Sequence, residues 1–245
     1  MRIVVTNCNT TQEMTEEIVR GARAAAAPGT TVTGLTPGWG PASAEGWLDS
    51  YLSAAAVLDT LRTYDGPAYD AVVLAGFGEH GREGVRELVD VPVVDITEAA
   101  AHLACLLGRR YGVVTTLDRS CGQIEDSLET AGVARNCAAV VGTGLGVLDL
   151  AGDPGRTEAA FLTAAERARD AGAEVLVLGC AGMTGLQQAV GEKLGMPVVD
   201  GVAAAVKLAE SLVTLGLTTS RAGGYQQPLP KERRWGRPAR GADGA

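Results

Sequence analysis

Short apolar runs alternate with longer stretches of helical spacing along most of the chain. The runs at 2–5, 32–35, 71–74, 92–96, 112–115, 175–178 and 197–200 carry most of the clustered Val, Ile and Leu. This rhythm predicts parallel strands joined by crossover helices, an α/β fold. Residues 11–27 predict a helix whose start, Thr10-Thr11 ahead of Glu13, Glu16 and Glu17, is capped and matched to the helix dipole. Residues 156–171 are helical by their Ala, Glu, Arg and Leu content, with Pro154 just before them.

The pattern also repeats. Val-Leu-Ala-Gly-Phe-Gly at 73–78 leads to Val-Pro-Val-Val-Asp at 91–95, and Val-Leu-Gly-Cys-Ala-Gly at 177–182 leads to Met-Pro-Val-Val-Asp at 196–200. Val4-Val5-Thr6 and Val113-Val114-Thr115 form a second pair at nearly the same offset. The expectation is two pseudo-symmetric α/β domains, each a mainly parallel sheet flanked by helices, with the active site at their interface. Residues 1–97 plus 206–220 form the first domain, 98–205 the second, and 221–245 a polar tail. Superposing the repeats sets Cys180 opposite Gly76, a thiol against a hydrogen.

Ligands of open α/β sheets bind beyond the carboxyl ends of the strands. Those ends carry Asn7-Cys8-Asn9-Thr10, Gly76-Phe77-Gly78, Thr115-Thr116 and Cys180-Ala181-Gly182, small and polar groups suited to a compact anionic ligand. Gly-Thr-Gly-Leu-Gly at 142–146 matches a dinucleotide fingerprint only loosely, so no nucleotide cofactor is expected.

Composition narrows the classes. The 245 residues are 46% hydrophobic and only 4% aromatic, with 33 glycines, which suits close helix-on-sheet packing. A net charge of −8 with no basic cluster before the tail argues against nucleic acid. No apolar run reaches the roughly 20 residues of a membrane span, and Met1 leads straight into Ile3-Val4-Val5, so a cytoplasmic protein with no membrane partner is expected. Cys8, Cys105, Cys121, Cys137 and Cys180 show no C-x-x-C spacing, and the two histidines, His80 and His102, cannot make a three-histidine site. Neither a disulfide framework nor a metal is expected. From Leu217 onward the chain turns polar, with Pro228, Pro230 and Pro238 among Lys231, Arg233, Arg234, Arg237 and Arg240, a solvated or partner-packed extension.

Cys180 is the chemical candidate. A thiol at a strand end, followed by Ala181-Gly182 and a helix, meets a positive dipole end that lowers its pKa below the free value of ~8.5 and prepares it as base or nucleophile. The other four cysteines read as small buried hydrophobes.

Val177 to Met183, Thr6-Asn7-Cys8-Asn9-Thr10-Thr11, the stretch 40–46 (Gly-Pro-Ala-Ser-Ala-Glu-Gly) and Tyr225-Gln226-Gln227-Pro228 together resemble hydantoin racemases of the cofactor-independent aspartate/glutamate racemase superfamily. The resemblance implies two cysteines facing each other across a domain interface, one thiolate taking the proton beside a carbonyl while the other thiol donates from the opposite face. It also implies a homo-oligomer and a small anionic or imide-like substrate. Cys180 matches the second cysteine, and the first falls on Gly76. Asn7, Asn9, Thr10, Gly76, Phe77, Gly78, Thr115, Thr116, Ala181 and Gly182 match substrate-contacting or pocket-lining positions. Two departures accompany Gly76: Glu79-His80 replaces the family's Asp-Pro, and Cys8 replaces the proline of its Asn-Pro-Asn turn.

Three readings follow. A racemase would use Cys180 on one face and Glu79, His80 or Cys8 on the other, and Gly76→Cys would then preserve or raise turnover. A decarboxylase of the same superfamily would need Cys180 alone. A non-catalytic binding module would need no thiol.

Overall fold

The computed structural model describes residues 1–235; Arg237, Pro238 and Arg240 of the tail lie outside the described residues. Among the described residues, eight strands form two four-stranded parallel sheets. The first contains β1 (Arg2–Thr6), β2 (Thr31–Leu35), β3 (Ala71–Leu74) and β4 (Val93–Asp95) in the order β2-β1-β3-β4. The second contains β5 (Tyr111–Thr115), β6 (Cys137–Gly142), β7 (Val175–Leu178) and β8 (Val198–Asp200) in the order β6-β5-β7-β8. The same order in both sheets is what the sequence repeat requires, with β3 corresponding to β7 and β1 to β5.

The helices are α1 (Gln12–Ala25), α2 (Trp47–Arg62), α3 (Arg82–Leu88), α4 (Ile96–Leu107), α5 (Cys121–Thr130), α6 (Pro154–Asp170), α7 (Gln187–Leu194) and α8 (Gly201–Thr214). In α1 the buried residues Thr15, Ile18, Val19 and Ala22 recur at helical spacing, so one stripe faces the sheet. Its N-cap differs from expectation. The Thr11 side chain makes no cap and instead donates from Oγ1 to the Ala42 carbonyl at 2.7 Å, because the neighbouring loop offers a closer acceptor.

Each Val-Val-Asp repeat ends a strand and begins a helix. Asp95 accepts from the N–H groups of Thr97 and Glu98, and Asp200 from those of Val202 and Ala203, so both acids cap the helices that follow. Those helices cross over: α4 packs on β7 of the second sheet and α8 on β3 and β4 of the first. Between them runs one core, from Ile3 and Val73 through Ala99 and Ala100 to Val177 and Ala205. At the crossing, a Cβ on Gly201 would stand 2.9 Å from the Ile96 carbonyl oxygen, so glycine permits the close approach of the two helix starts. The whole of α8 therefore joins the first sheet, five residues earlier in the chain than the domain boundary expected from the pattern.

The run 137–142 was not among the expected strands. Cys-Ala-Ala-Val-Val-Gly pairs with β5 at the edge of the second sheet, mostly half-buried, and its register shifts between Tyr111 and Gly112. The polar tail also has a defined seat, since Arg221 donates to the carbonyls of Arg86, Glu87 and Val89 at the end of α3, and Tyr225 bonds Glu83.

Candidate active site

The carboxyl ends of β1, β3, β5 and β7 meet at a small cleft lined by residues of both halves. Asn7, Asn9, Gly76, Phe77, His80, Thr115, Thr116, Cys180 and Ala181 line it, as expected for residues at strand ends. Thr10, Gly78, Glu79 and Gly182 do not, and each is engaged elsewhere. Thr10 donates from its N–H and its hydroxyl to the Pro41 carbonyl, at 3.0 and 3.3 Å, and so holds the loop that brings Ala44 into the cleft wall. The Gly78 N–H donates to Thr97 Oγ1 at 2.8 Å. The Glu79 carboxylate accepts from the N–H groups of Gly81 and Arg82, at 2.7 and 3.1 Å, which makes it the cap of α3. The Gly182 N–H supports the sulfur of Cys180.

The turn after β1 is fixed by its own side chains. Asn7 Oδ1 accepts from the N–H groups of Cys8 and Asn9 at 2.8 and 3.3 Å. Its Nδ2 donates to Asn9 Oδ1 at 2.9 Å and to Thr15 Oγ1 at 3.1 Å. With so many internal partners, Asn7 shapes the cleft rather than gripping a ligand. The Asn9 amide nitrogen meets only the weak acceptor Met14 Sδ at 3.5 Å, so it keeps a strong donor for a ligand.

His80 is 5% exposed and its ring is held at both nitrogens. Nε2 lies 3.3 Å from the Phe77 carbonyl, which can only accept, so Nε2 carries the proton. Nδ1 lies 3.2 Å from the Ser50 hydroxyl, whose single proton it shares with the Glu79 carbonyl and whose oxygen accepts from Gln123 Nε2. Burial pushes the imidazole down to about 4, so the ring is neutral at pH 7. It presents its Cδ2 edge to Gly76. Of the three residues expected to replace the missing cysteine, Glu79 caps a helix off the cleft, while His80 and Cys8 line it.

Gly76 is enclosed. A Cβ there would stand 2.4 Å from His80 Cδ2, 2.7 Å from Cys8 Cβ and 2.9 Å from Cys8 Sγ. A Cys at position 76 would meet this crowding at its first carbon, so the side chain of His80 or Cys8 must shift to admit it.

The thiols also differ from expectation. Cys180 heads only a three-residue turn, Ala181–Met183, whose dipole is short, and burial outweighs the Gly182 N–H and pushes the thiol up to about 11, with the Glu45 charge adding to the rise. Cys8, on the same cleft, is pushed up to about 12, first by burial and then by the charge of Cys180.

The sequence pattern did not single out Met14, Ser120, Gln123 or Val147, which also line the cleft. Ser120 matters most among them. Its hydroxyl is buried with no hydrogen-bond partner among the described residues. It ends the 3-10 turn Asp118–Ser120 that leads from β5 into α5, where only its position after the strand end Thr115-Thr116 could have marked it. Among the described lining residues none is Asp, Glu, Lys or Arg.

Comparison with known proteins agrees with this geometry. A family model described as Asp/Glu/Hydantoin racemase matches residues 3–209. A hydantoin racemase of Pseudomonas sp. (strain NS671) is 38% identical over 233 residues, covering 95% of this chain and 94% of that protein. The crystal structure of an allantoin racemase from Pseudomonas fluorescens superposes with a TM-score of 0.93 at 53% identity, covering 96% of this chain and all of that one. An allantoin racemase from Klebsiella pneumoniae gives a TM-score of 0.90 at 40% identity, with 94% and 95% covered.

Proposed function

Since the chain belongs to the Asp/Glu/hydantoin racemase family, we propose that it inverts the stereocentre of a neutral five-membered imide ring, a hydantoin of the allantoin type, by cysteine proton transfer. The observation that carries this reading is the uncharged cleft. A free amino acid such as aspartate brings an ammonium and two carboxylates, and burying those without counter-charges is costly. A hydantoin ring brings only carbonyls and N–H groups, which the Asn9 amide and the free Ser120 hydroxyl can match. Of the two substrate types expected from the sequence, anionic and imide-like, the lining favours the second.

Cys180 supplies one of the two proton-transfer groups. Its thiolate takes the hydrogen from the carbon next to the ring carbonyl, and the electron pair moves onto the carbonyl oxygen as an enolate. A proton returned from the opposite face then gives the mirror image. The apolar wall formed by buried Ala75 and Ala181 and half-buried Phe77 limits nonspecific protonation of the enolate.

A substrate panel tests the proposal. Single enantiomers of allantoin, a 5-alkyl hydantoin, aspartate and glutamate are followed by circular dichroism against buffer controls. Loss of optical activity confined to the hydantoin rings is expected. Preferential inversion of aspartate or glutamate, or no inversion of any ring, overturns it.

A further inference from the structure

The glycine at position 76 raises the question of what faces Cys180, and the cleft contains one other cysteine sulfur. Cys8 Sγ lies 2.9 Å from the point where a side chain of residue 76 would begin, and Cys8 Cβ lies 2.7 Å from it. The Cys8 side chain therefore fills the space beside Gly76 into which a residue-76 side chain would start. Because β3 corresponds to β7 in the duplicated fold, that space is the pseudo-symmetric counterpart of the one Cys180 occupies.

The placement is rigid. Asn7 Oδ1 accepts the Cys8 N–H at 2.8 Å, and the turn is tied to α1 through Thr15, so the sulfur is held where β1 ends. Cys8 and Cys180 both line the cleft, and neither forms a disulfide. Glu79 and His80 are committed to a helix cap and a wall.

We propose that Cys8 is the second proton-transfer residue, so that the acid/base pair of this chain stands on β1 and β7 instead of β3 and β7. The proposal rests on the racemase reading above. In one direction the Cys180 thiolate takes the ring proton, and the Cys8 thiol donates its own to the opposite face of the enolate. The cycle ends with Cys180 as thiol and Cys8 as thiolate. The reverse direction exchanges the roles, and no oxidant, reductant or further reactant is needed. The electrostatic coupling suits such an exchange, because charge on Cys180 raises Cys8 and the pair favours one thiolate and one thiol over two thiolates.

Cys8→Ala, Cys8→Ser and Cys180→Ala are compared with the wild type in deuterated buffer, with each enantiomer of one hydantoin, reading inversion and α-hydrogen exchange separately. Circular dichroism confirms folding of each variant, and Cys8→Ser serves where Cys8→Ala does not fold. Inversion falls by at least ~100-fold in all three, the scale of a lost acid or base. Exchange without inversion persists, in one enantiomer for the Cys8 variants and in the other for Cys180→Ala. A folded Cys8 variant that inverts within a few-fold of wild type overturns the Cys8 assignment while leaving the racemase reading intact. A folded Cys8 variant that exchanges neither enantiomer also overturns it, because Cys8 would then act only on structure. Absence of inversion in the wild type removes the racemase reading itself, and this proposal with it.

Discussion

The chemistry of this chain turns on how a few side chains share a small space. Gly76, Cys8 and His80 crowd the end of β3 so closely that Gly76→Cys is expected to lower stability by about 1–3 kcal/mol and to reduce turnover, measured by urea unfolding and initial rates. Burial raises both cleft thiols, so the thiolate that the proposed reaction begins from grows scarcer as pH falls. Accordingly kcat/KM should climb about tenfold per pH unit between pH 7 and 9, and Glu45→Gln should shift the profile to lower pH by removing a charge that raises Cys180. A flat profile over that range would show a thiolate already formed at neutral pH. The same displacement acts on folding. The thiols are held protonated relative to the unfolded chain, so their contribution to stability is intact below pH 9 and fades as pH rises through 11 to 12. His80 has the opposite sign: its depressed pKa leaves its contribution intact above about 6.5, to be lost as pH falls through 4. Cys180 was legible in the sequence because a repeat set it against a glycine. Cys8 was one candidate among three in the sequence, and the proposal that favours it rests on a contact between the ends of two strands that a linear pattern does not reveal.

The elements were legible where periodicity and punctuation agreed. Val-Val-Asp at 93–95 and 198–200 marked strand ends in the sequence, and the structure adds that each Asp caps the helix it precedes. Asp200 also accepts from Thr184 Oγ1 and the Gly185 N–H, both at 3.2 Å, which ties down the turn that follows Cys180. Asp200→Ala should therefore cost about 1–2 kcal/mol of stability, read by urea midpoint, together with part of the activity. Asp95 has a buried partner, Arg82, whose guanidinium is 1% exposed and lies 3.8 Å from it while pairing with Glu83 at 2.7 Å. Removing that cation leaves the buried Asp95 carboxylate unpaired, so Arg82→Met should cost about 3–5 kcal/mol by the same measurement. The edge strand β6 escaped the pattern because its alanines carry helix propensity and its half-buried faces do not alternate cleanly. The seat of the tail escaped too, since Arg221 reaches across more than 130 residues of chain to the end of α3.

At the scale of the whole molecule, duplication explains both the fold and the site. Two sheets of the same order, joined by helices that cross to the opposite half, bring four strand ends to one cleft. The α/β class and the two halves could be read from the repeats. The neutrality of the cleft could not, because it depends on which of the 50 charged side chains stay out of it. Under the proposed function that neutrality suits an imide ring better than an amino acid, and the proposed pair of sulfurs acts on opposite faces. The central claim is a two-base inversion, and its most direct measurement is deuterium distribution at low conversion. One enantiomer of allantoin or a 5-alkyl hydantoin is incubated with the wild-type protein in deuterated water, and product and remaining substrate are separated and read by NMR or mass spectrometry. Two thiols on opposite faces predict product deuterated throughout and remaining substrate still carrying its original hydrogen. Product that retains the hydrogen, or substrate that loses it as fast as product forms, would contradict the account.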